Sequence, residues 1–314
     1  MRDVKGKKPI LALAPMEDVT DTAFRRIVAR LAKPDVFYTE FTSVDGLFSR
    51  GRDAVIHRLD YTEEERPIVA QVWGSDPALF YKATGLIRDL KFDGVDINMG
   101  CPQKSIIQHK AGAACINDPI RAAEIIAATR EGARGLPVSV KTRIGYKTIS
   151  KTWIPFLLEQ HLDSLTIHGR TAAELSKVPA HWDEIAKATN HGTVIIGNGD
   201  VVDYADAVQK CGKYGTDGAM IGRGIFHNLW AFSKTGVNHM DDQQEMFRLL
   251  QLHMQLFEKV YLPAGRPFAV MKKFFKIYVQ GFSHASDLRE RLMACEDRRA
   301  VEDILSKFGG RQEG

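Results

Sequence analysis

Short apolar segments rich in β-branched residues alternate with stretches of helical periodicity along most of the chain. Eight of these segments predict strands, which begin near Pro9, Val36, Pro67, Gly94, Pro137, Ser164, Thr193 and Gly218. The stretches between them, such as PIRAAEIIAATREGA and YADAVQKCGK, have the spacing of helices. Continuous apolar strands that alternate with helices indicate a buried parallel sheet.

This alternation predicts an α/β fold, the (β/α)8 or TIM barrel. Eight strand–helix units in about 230 residues match the usual size of such a barrel. A doubly wound sheet is the competing fold. It usually carries a G-x-G-x-x-G turn after an early strand, and this chain has no such turn.

The pattern changes after about residue 240. The segments DDQQEMFRLLQLHMQLFEKVYL, RPFAVMKKFFKIYVQGF and DLRERLMACEDRRAVEDILSKF have helical spacing, and no further strand pattern follows. We therefore predict two domains, a barrel over residues 1–240 and a small all-helical domain over residues 241–314.

Chemically versatile side chains stand where the predicted strands end. They are Met16, Glu40, Gln71, Asn98, Lys141, His168, Asn198 and Arg223. Polar groups are costly inside a barrel core, whereas the C-terminal mouth is where such barrels hold their active sites. One such residue alone fits a helix cap or a buried histidine equally well. Eight at one rim indicate an enzyme.

The ends of the last two predicted strands, IIGNGD and MIGRG, indicate an anion site. Many barrels bind phosphate at this place through backbone N–H groups beside a helix N-terminus. Gly199 and Gly222 allow a close approach, and Arg223 adds positive charge. Lys141 and Arg143 lie two apart on the fifth predicted strand, so both point to the same face. Two cations at a barrel mouth indicate a ligand that carries or develops negative charge.

Composition and charge set only broad limits. The chain has 44% hydrophobic and 26% charged residues and a net charge of +4, as ordinary globular proteins have. No apolar run approaches the ~20 residues that span a bilayer. The four cysteines are scattered without a C-x-x-C pair. We therefore expect a cytoplasmic protein with no disulfide framework, no membrane segment and no metal site built on thiolates.

One cysteine stands in a turn directly after a predicted strand. In DGVDINMGCPQK the apolar run ends at Asn98, and Cys101 lies between Gly100 and Pro102. A free cysteine is most often a small buried hydrophobe. A thiol at a barrel mouth, with an unperturbed pKa of about 8.5, is instead mainly protonated at neutral pH and suits general acid catalysis. Cys101 is therefore a candidate reactive residue.

Six motifs in a fixed order along the barrel resemble the tRNA-dihydrouridine synthases. They are LAPMEDVTDTAFR, INMGCP, VKTRIG, HGRT, IGNGD and MIGRG, and MKKFFKIYVQG follows in the helical segment. The resemblance implies an FMN-containing barrel that reduces the C5–C6 double bond of specific uridines in tRNA to 5,6-dihydrouridine. It further implies that NADPH is the electron donor and that the helical domain helps to hold the tRNA.

The same resemblance assigns residues to roles. Cys101 matches the family's proton donor, which protonates C5 while hydride reaches C6 from FMN. Asn98 and Arg143 match positions that face the uracil. The positions that match FMN contacts are Pro15, Met16, Glu17, Gln71, Lys141, His168, Asn198, Gly199, Asp200, Gly222 and Arg223.

Two places depart from the family pattern. Asp18 stands where many members have glycine in the first loop. The stretch AAELSKVPAHW, which follows HGRT, lacks the tyrosine that members commonly carry about five residues after the arginine of that motif. That loop is therefore expected to differ in its contact with the substrate.

The helical segment offers a surface for RNA. A base in folded RNA must leave its stack to be modified, so the enzyme has to hold the RNA meanwhile. Between Glu258 and Asp287 there is no acidic residue, and Lys272, Lys273 and Lys276 are the predicted phosphate contacts. The aromatic residues interleaved with them have helical spacing and are predicted to be core. We expect a monomer whose partner is tRNA.

Two other functions remain open at this point. A flavin barrel of the dihydroorotate dehydrogenase type would act on a free pyrimidine, although it would not need a basic helical domain. A non-catalytic RNA-binding barrel would not need Cys101 or Lys141. The sequence leaves open which uridine is reduced, whether the RNA is ribosomal, and whether NADH replaces NADPH.

Overall fold

The computed structural model describes residues 8–309, and its central feature is a parallel β-barrel. The strands are β1 (Ile10–Leu13), β2 (Phe37–Tyr38), β3 (Thr42–Ser43), β4 (Ile68–Trp73), β5 (Gly94–Met99), β6 (Val138–Arg143), β7 (Ser164–His168), β8 (Val194–Asn198) and β9 (Gly218–Ile221). Each begins within about two residues of its predicted start, except that the second predicted strand is divided into β2 and β3.

Strand order closes the barrel. The hydrogen-bonded order is β1-β9-β8-β7-β6-β5-β4-β2, and every neighbouring pair is parallel. A parallel bridge between Ala12 and Val36 joins the two ends, while β3 extends the second position by pairing with β4. The predicted TIM barrel is confirmed.

Helices follow most strands and continue beyond the last one. The α-helices are α1 (Thr22–Leu31), α2 (Val44–Leu47), α3 (Asp53–Ile56), α4 (Pro77–Asp89), α5 (Lys104–Gln108), α6 (Pro119–Ala133), α7 (Trp153–Leu158), α8 (Trp182–Ala186), α9 (Tyr204–Tyr214), α10 (Gln243–Tyr261), α11 (Phe275–Tyr278), α12 (Ala285–Met293) and α13 (Arg298–Gly309). Short 3-10 helices span His57–Leu59, Glu63–Glu65, Gly112–Asn117, Arg223–Phe226 and Phe268–Phe274.

Four aspartates close the N-terminal end of the barrel in a repeating arrangement. Each lies one or two residues before a strand. Its carboxylate accepts a hydrogen bond from the first or second N–H of the neighbouring strand that comes before it in the chain. The pairs are Asp35 with Leu11 at 2.9 Å, Asp93 with Ile68 at 2.7 Å, Asp163 with Val138 at 2.8 Å and Asp217 with Ile195 at 2.8 Å. This end is therefore occupied by structural contacts, and the C-terminal mouth is left for ligands.

After β9 the described residues form helices joined by loops and no further strand, as the helical spacing of the sequence predicts. Where one long helical pattern was predicted near the end, the chain forms α12 and α13, because Asp297 caps the second helix by accepting the N–H of Ala300 at 2.8 Å. The predicted core role of the aromatics is confirmed for Phe274, Phe275 and Tyr278, whose exposure is at most 1%.

Helix α1 joins the barrel to this helical segment. The ring of Phe24 stacks on Phe274 with centroids 5.6 Å apart and lies 5.7 Å from the ring of His253. The N–H of Thr22 donates to the hydroxyl of Tyr261 at 3.2 Å. One continuous apolar core therefore runs from the barrel into the helices. Within residues 8–309, no helix has both the length and the apolar character needed to cross a membrane.

Candidate active site

A cavity of about 630 Å³ opens at the carboxyl ends of the strands. It is lined by Ala14, Pro15, Met16, Lys141, Arg143, His168, Arg170, Ser176, Asn198, Gly199, Asp200, Val201, Val202, Gly222, Arg223, Gly224 and His227. This is the position at which barrels of this class hold their ligands. A cavity of this size suits a molecule with several rings.

Most of the predicted cofactor contacts line this cavity. They are Pro15, Met16, Lys141, His168, Asn198, Gly199, Asp200, Gly222 and Arg223. Arg143, predicted to face the uracil, lines it too. Gln71 and Asn98 lie on β4 and β5 behind the cysteine turn, outside the cavity lining. Glu17 pairs with Arg58 at 2.7 Å and accepts from Gln103 Nε2 at 3.0 Å, in the loop beside Cys101.

Lys141 points its ammonium group into the mouth. Its Nζ donates to Asn198 Oδ1 at 3.0 Å, and Asn198 Nδ2 in turn donates to the carbonyl of Met220 at 2.9 Å. Desolvation lowers the pKa of Lys141 to about 8, and the neighbouring Arg143 contributes to this shift. The cation has one amide hydrogen-bond partner, and the more distant charge of Asp96 only partly opposes the lowering of its pKa, so an anionic ligand in the cavity would stabilise it.

His168 is held neutral. Desolvation lowers its pKa well below the usual value, and the cations of Arg143, Lys141, Arg170 and Arg223 act in the same direction. A neutral imidazole has one N–H donor and one acceptor nitrogen, so His168 can hydrogen-bond a ligand without adding charge.

The glycines of the last two loops have different roles. Gly199 has φ +118, and a Cβ there would lie 2.7 Å from the Cβ of Ala180, so the protein itself requires glycine. Gly222 is different, because a Cβ there would meet only the Cβ of Ala14, at 3.6 Å. Its missing side chain leaves space on the cavity wall, where Arg223 supplies positive charge. This combination fits a phosphate group.

The turn that carries Cys101 is organised by Asn98. The Oδ1 atom of Asn98 accepts the N–H groups of Gly100 at 3.1 Å and Cys101 at 2.9 Å. Arg143 binds the same turn from the cavity side, because its Nε donates to the carbonyl of Gly100 at 2.8 Å. One side chain thus links the cysteine turn to the cavity.

Cys101 is the one partly exposed cysteine, while Cys115, Cys211 and Cys295 are buried. Burial raises the pKa of the Cys101 thiol, and the nearby carboxylate of Glu17 adds to this effect. The thiol therefore stays protonated at neutral pH. It is accessible and has a proton to give.

Arg143 is fixed rather than free to follow a ligand. Besides the Gly100 carbonyl, it donates from Nη1 to the carbonyl of Thr171 at 3.0 Å and to that of Leu175 at 3.4 Å. Desolvation lowers its pKa to about 10, which still leaves it charged at neutral pH. It contributes a fixed positive charge at the edge of the cavity.

Arg170 is a site residue that the sequence reasoning missed. It lines the cavity, donates from Nη2 to both oxygens of Asp200 at 2.6 and 2.5 Å, and lies 3.2 Å from Nε2 of His168. Asp200, predicted as a cofactor contact, is therefore also the partner of a buried arginine. The signal was the position of Arg170 two residues after His168, at the same strand end.

Both departures from the family pattern have a structural counterpart. Asp18 adopts φ +57, the left-handed conformation that glycine takes most easily. Its N–H donates to Glu40 Oε1 at 2.6 Å, and its carboxylate lies 3.4 Å from Arg266 of the helical segment. In the loop that lacks the tyrosine, Leu175 is exposed and Ser176 reaches the cavity.

The three predicted phosphate contacts separate into two groups. Lys273 and Lys276 line a second cavity of about 350 Å³, which adjoins the first because Arg223 and His227 line both. Lys272 donates instead to the carbonyl of Met293, the last residue of α12, at 2.7 Å. A lysine at a helix C-terminus donates to a carbonyl that has no partner within the helix, and its charge interacts favourably with the helix dipole. The contact of Lys272 is therefore structural. No group of three metal-binding side chains occurs within residues 8–309.

Comparison with known proteins identifies sequences that are similar to this chain. A sequence model of the family described as "Dihydrouridine synthase (Dus)" matches residues 12–309. A probable tRNA-dihydrouridine synthase from Staphylococcus epidermidis is 42% identical over 319 residues, covering 98% of this chain and 95% of that protein. Probable tRNA-dihydrouridine synthase 2 from Bacillus subtilis is 42% identical over 310 residues, covering 96% of this chain and 94% of that protein.

Among solved structures, 2-naphthoyl-CoA reductase in complex with 2-naphthoyl-CoA aligns with a TM-score of 0.57 and 10% sequence identity. The alignment covers 72% of this chain and 49% of that one. At this level of identity the likeness concerns the fold alone.

Proposed function

Because this chain belongs to the dihydrouridine synthase family, we propose that it reduces the C5–C6 double bond of uridines in tRNA, with FMN bound in the barrel mouth. The observation that carries this proposal is the link between the protonated Cys101 thiol and the cavity through Arg143. The substrate follows from the printed names of the relatives, which are probable tRNA-dihydrouridine synthases.

The residues of the cavity suit FMN at both of its ends. Lys141 and Arg143 bring two positive charges to the part of the mouth nearest the cysteine turn, where a flavin ring that becomes negative on reduction would be stabilised. Arg223 and the open face of Gly222 suit the phosphate. The chemistry supplied by the bound flavin is hydride donation to C6 of the uracil, with NADPH as the source of the electrons.

The chain itself supplies the proton. As hydride arrives at C6, negative charge develops on the C4 oxygen and C5 of the ring, and C5 must gain a proton. Cys101 donates the proton from Sγ, and the resulting thiolate is compensated by Lys141 and Arg143, which both act to lower its pKa. The same cations stabilise negative charge on the uracil before the proton arrives.

We propose that the RNA is held at the second cavity. Lys273 and Lys276 lie beside Arg223 there, so positive charge continues from the barrel mouth onto the helical segment 241–314. Phosphate contacts orient an RNA without reading its sequence. The chain would act as a monomer in this arrangement, because one chain provides the cavity, the thiol and the basic surface.

The basic test of the proposal is direct. The purified protein should be yellow, and RNA from a strain lacking it should lose dihydrouridine at defined tRNA positions, which regain it on complementation. A colourless protein would favour the non-catalytic RNA-binding barrel. Turnover of dihydroorotate without turnover of tRNA would favour an enzyme of the free-pyrimidine type.

The affinity for FMN should depend on pH through Lys141. The pKa of Lys141 is about 8 in the protein alone, and a ligand that prefers the charged ammonium raises this pKa on binding. Affinity should therefore be constant below about pH 7 and fall by up to tenfold per pH unit above about pH 8. Fluorescence titration of the apoprotein with FMN measures this. The Lys141→Met variant should bind FMN weakly, with an affinity that does not change with pH. If its affinity still falls with pH as in the wild type, Lys141 is not the group that binds FMN.

RNA binding should separate Lys273 and Lys276 from Lys272. If the first two contact phosphates, the double variant Lys273→Ala/Lys276→Ala should bind tRNA more weakly, with the log–log salt slope reduced by roughly 0.7–0.9 for each lost contact. Lys272→Ala is the matched control and should keep the wild-type slope, because Lys272 already binds the Met293 carbonyl. Equal slopes in the wild type and the double variant would move the RNA surface to the barrel loops.

A further inference from the structure

An unbroken line of buried hydrogen bonds lies behind the Cys101 turn. Ser139 Oγ donates to Asp96 Oδ1 at 2.5 Å, and Gln71 Nε2 donates to Asp96 Oδ2 at 2.6 Å. Asn98 Nδ2 then donates to Gln71 Oε1 at 3.0 Å. The line ends where Asn98 Oδ1 accepts the N–H groups of the turn, including that of Cys101 at 2.9 Å. It crosses β6, β4 and β5 inside the barrel.

Both ends of this line have a fixed polarity. Backbone N–H groups can only donate, and an ionised carboxylate can only accept. Two amides stand between these ends, and only one orientation of each satisfies every contact. With Asp96 as acceptor, Gln71 must present its oxygen to Asn98, and Asn98 must present its oxygen to the turn. The Asp96 carboxylate therefore favours one orientation of the Asn98 amide, although the two residues are linked only through Gln71.

We propose that Asp96 is a positioning residue for the proton donor, holding the turn that presents Cys101 by fixing the orientations of Gln71 and Asn98. Its role as a positioner of the proton donor rests on the proposed function, whereas its hold on the turn does not. Asp96 is not among the residues that line the cavity, and it reaches the Cys101 turn through the two amides.

Because the hydrogen-bonded line is buried, it depends on the Asp96 carboxylate as its acceptor. Asp96 and Gln71 are fully buried, and Asn98 and Ser139 are 7% and 6% exposed. Water therefore cannot replace a missing partner, and a buried polar group without one is costly. Burial raises the pKa of Asp96 to about 6, while hydrogen bonds from Ser139 and Gln71 and the charge of Lys141 oppose the rise. The carboxylate is thus mainly ionised at neutral pH, as an acceptor must be.

Two substitutions distinguish an acceptor from a charge. Asp96→Leu removes the acceptor and leaves Gln71 free to turn. Asp96→Asn removes the charge but can keep an oxygen on Gln71, because its new NH₂ group can donate to Ser139 Oγ. The Ser139 hydroxyl can then donate to the Val95 carbonyl, which already lies 3.4 Å away.

The first measurement is the rate at which iodoacetamide alkylates Cys101 in the holoenzyme without RNA. In Asp96→Leu we expect alkylation about tenfold faster, because loss of the buried hydrogen bonds loosens the turn and exposes the thiol. Asp96→Asn should stay close to the wild type. Asp217→Leu is the matched control, since Asp217 accepts the N–H of Ile195 at the opposite end of the barrel, and should leave the rate unchanged. Cys101→Ser gives the background.

The second measurement is dihydrouridine formation. Assayed with saturating FMN, Asp96→Leu should lose at least about tenfold in kcat with little change in KM for tRNA, and Asp96→Asn should recover most of the lost rate. Equal losses in both variants would overturn the proposal in favour of charge, and wild-type alkylation in Asp96→Leu would overturn it outright. If Asp96→Leu does not fold, Gln71→Met interrupts the same line and must also speed alkylation. A wild-type enzyme inactive on tRNA would contradict the proposed function but not the alkylation result.

Discussion

Under the proposed function, replacing Cys101 with alanine should leave the reduction of bound FMN by NADPH intact and slow dihydrouridine formation roughly 10²–10⁴-fold, the range expected for loss of a general acid. The two half-reactions separate because hydride transfer to the flavin needs no thiol. Protonation of C5 needs a donor, and Cys101 has the accessible thiol that burial keeps protonated. Water in the mouth would have to replace it.

Two rates measured on the same preparation test this prediction. The bleaching of flavin absorbance by NADPH reports the first half-reaction, and its recovery on addition of tRNA reports the second. Cys295→Ala is the matched control, because Cys295 is buried in the helical segment, and both of its rates should match the wild type. An equal loss in both half-reactions of Cys101→Ala would point to a structural cysteine and would falsify the assignment.

The barrel was predictable because its signal is local. Strands buried on both faces must be apolar along their length, so each strand is visible as a run of apolar residues. The division between β2 and β3 was not visible, because Thr39 and Glu40 lie within one apparent run. Glu40 accepts the N–H of Asp18 from the first loop, and this contact depends on a chain segment more than twenty residues away in sequence.

The residue types of the site were predictable for a related reason. Polar side chains at the ends of parallel strands must converge at one rim, so Lys141 and His168 could be placed together without knowing their partners. The partners themselves were not predictable. The pairing of Arg170 with Asp200 joins two loops, and the line from Asp96 to Asn98 depends on the register of three strands. Distances of this kind depend on packing rather than on sequence spacing.

The three lysines show the same limit in the helical segment. Lys272, Lys273 and Lys276 form one basic group in the sequence, yet the 3-10 turn of Phe268–Phe274 directs Lys272 to the end of α12 and Lys273 to the second cavity. A regular α-helix would distribute them differently, because it turns by 100° rather than 120° per residue. The number of positive charges could be counted from the sequence, but the direction in which each lysine side chain points could not be predicted.

Helix α1 determines where that basic surface stands relative to the barrel mouth, and a buried ion pair holds α1 in place. Arg25 on α1 donates from Nε to Glu65 at 2.5 Å, and both side chains have no exposed surface. Arg25 also donates to the carbonyls of Thr20 at 2.6 Å and Asp60 at 2.7 Å. The adjacent residue Phe24 stacks on Phe274, next to Lys273 in the chain. The pair therefore lies at the base of the contact between barrel and helices.

Arg25→Met should lower the free energy of unfolding by about 3–5 kcal/mol, because it leaves the Glu65 carboxylate buried without its cation. Urea unfolding measures this, and hydrogen exchange should speed up together in α1 and in Phe268–Phe274, which pack on each other. Arg26→Met is the matched control one residue along the same helix. Its partner Glu64 is 32% exposed, so the cost should stay below about 1 kcal/mol. Similar losses of stability in the two variants would show that burial is not the reason why the Arg25–Glu65 pair stabilises the protein.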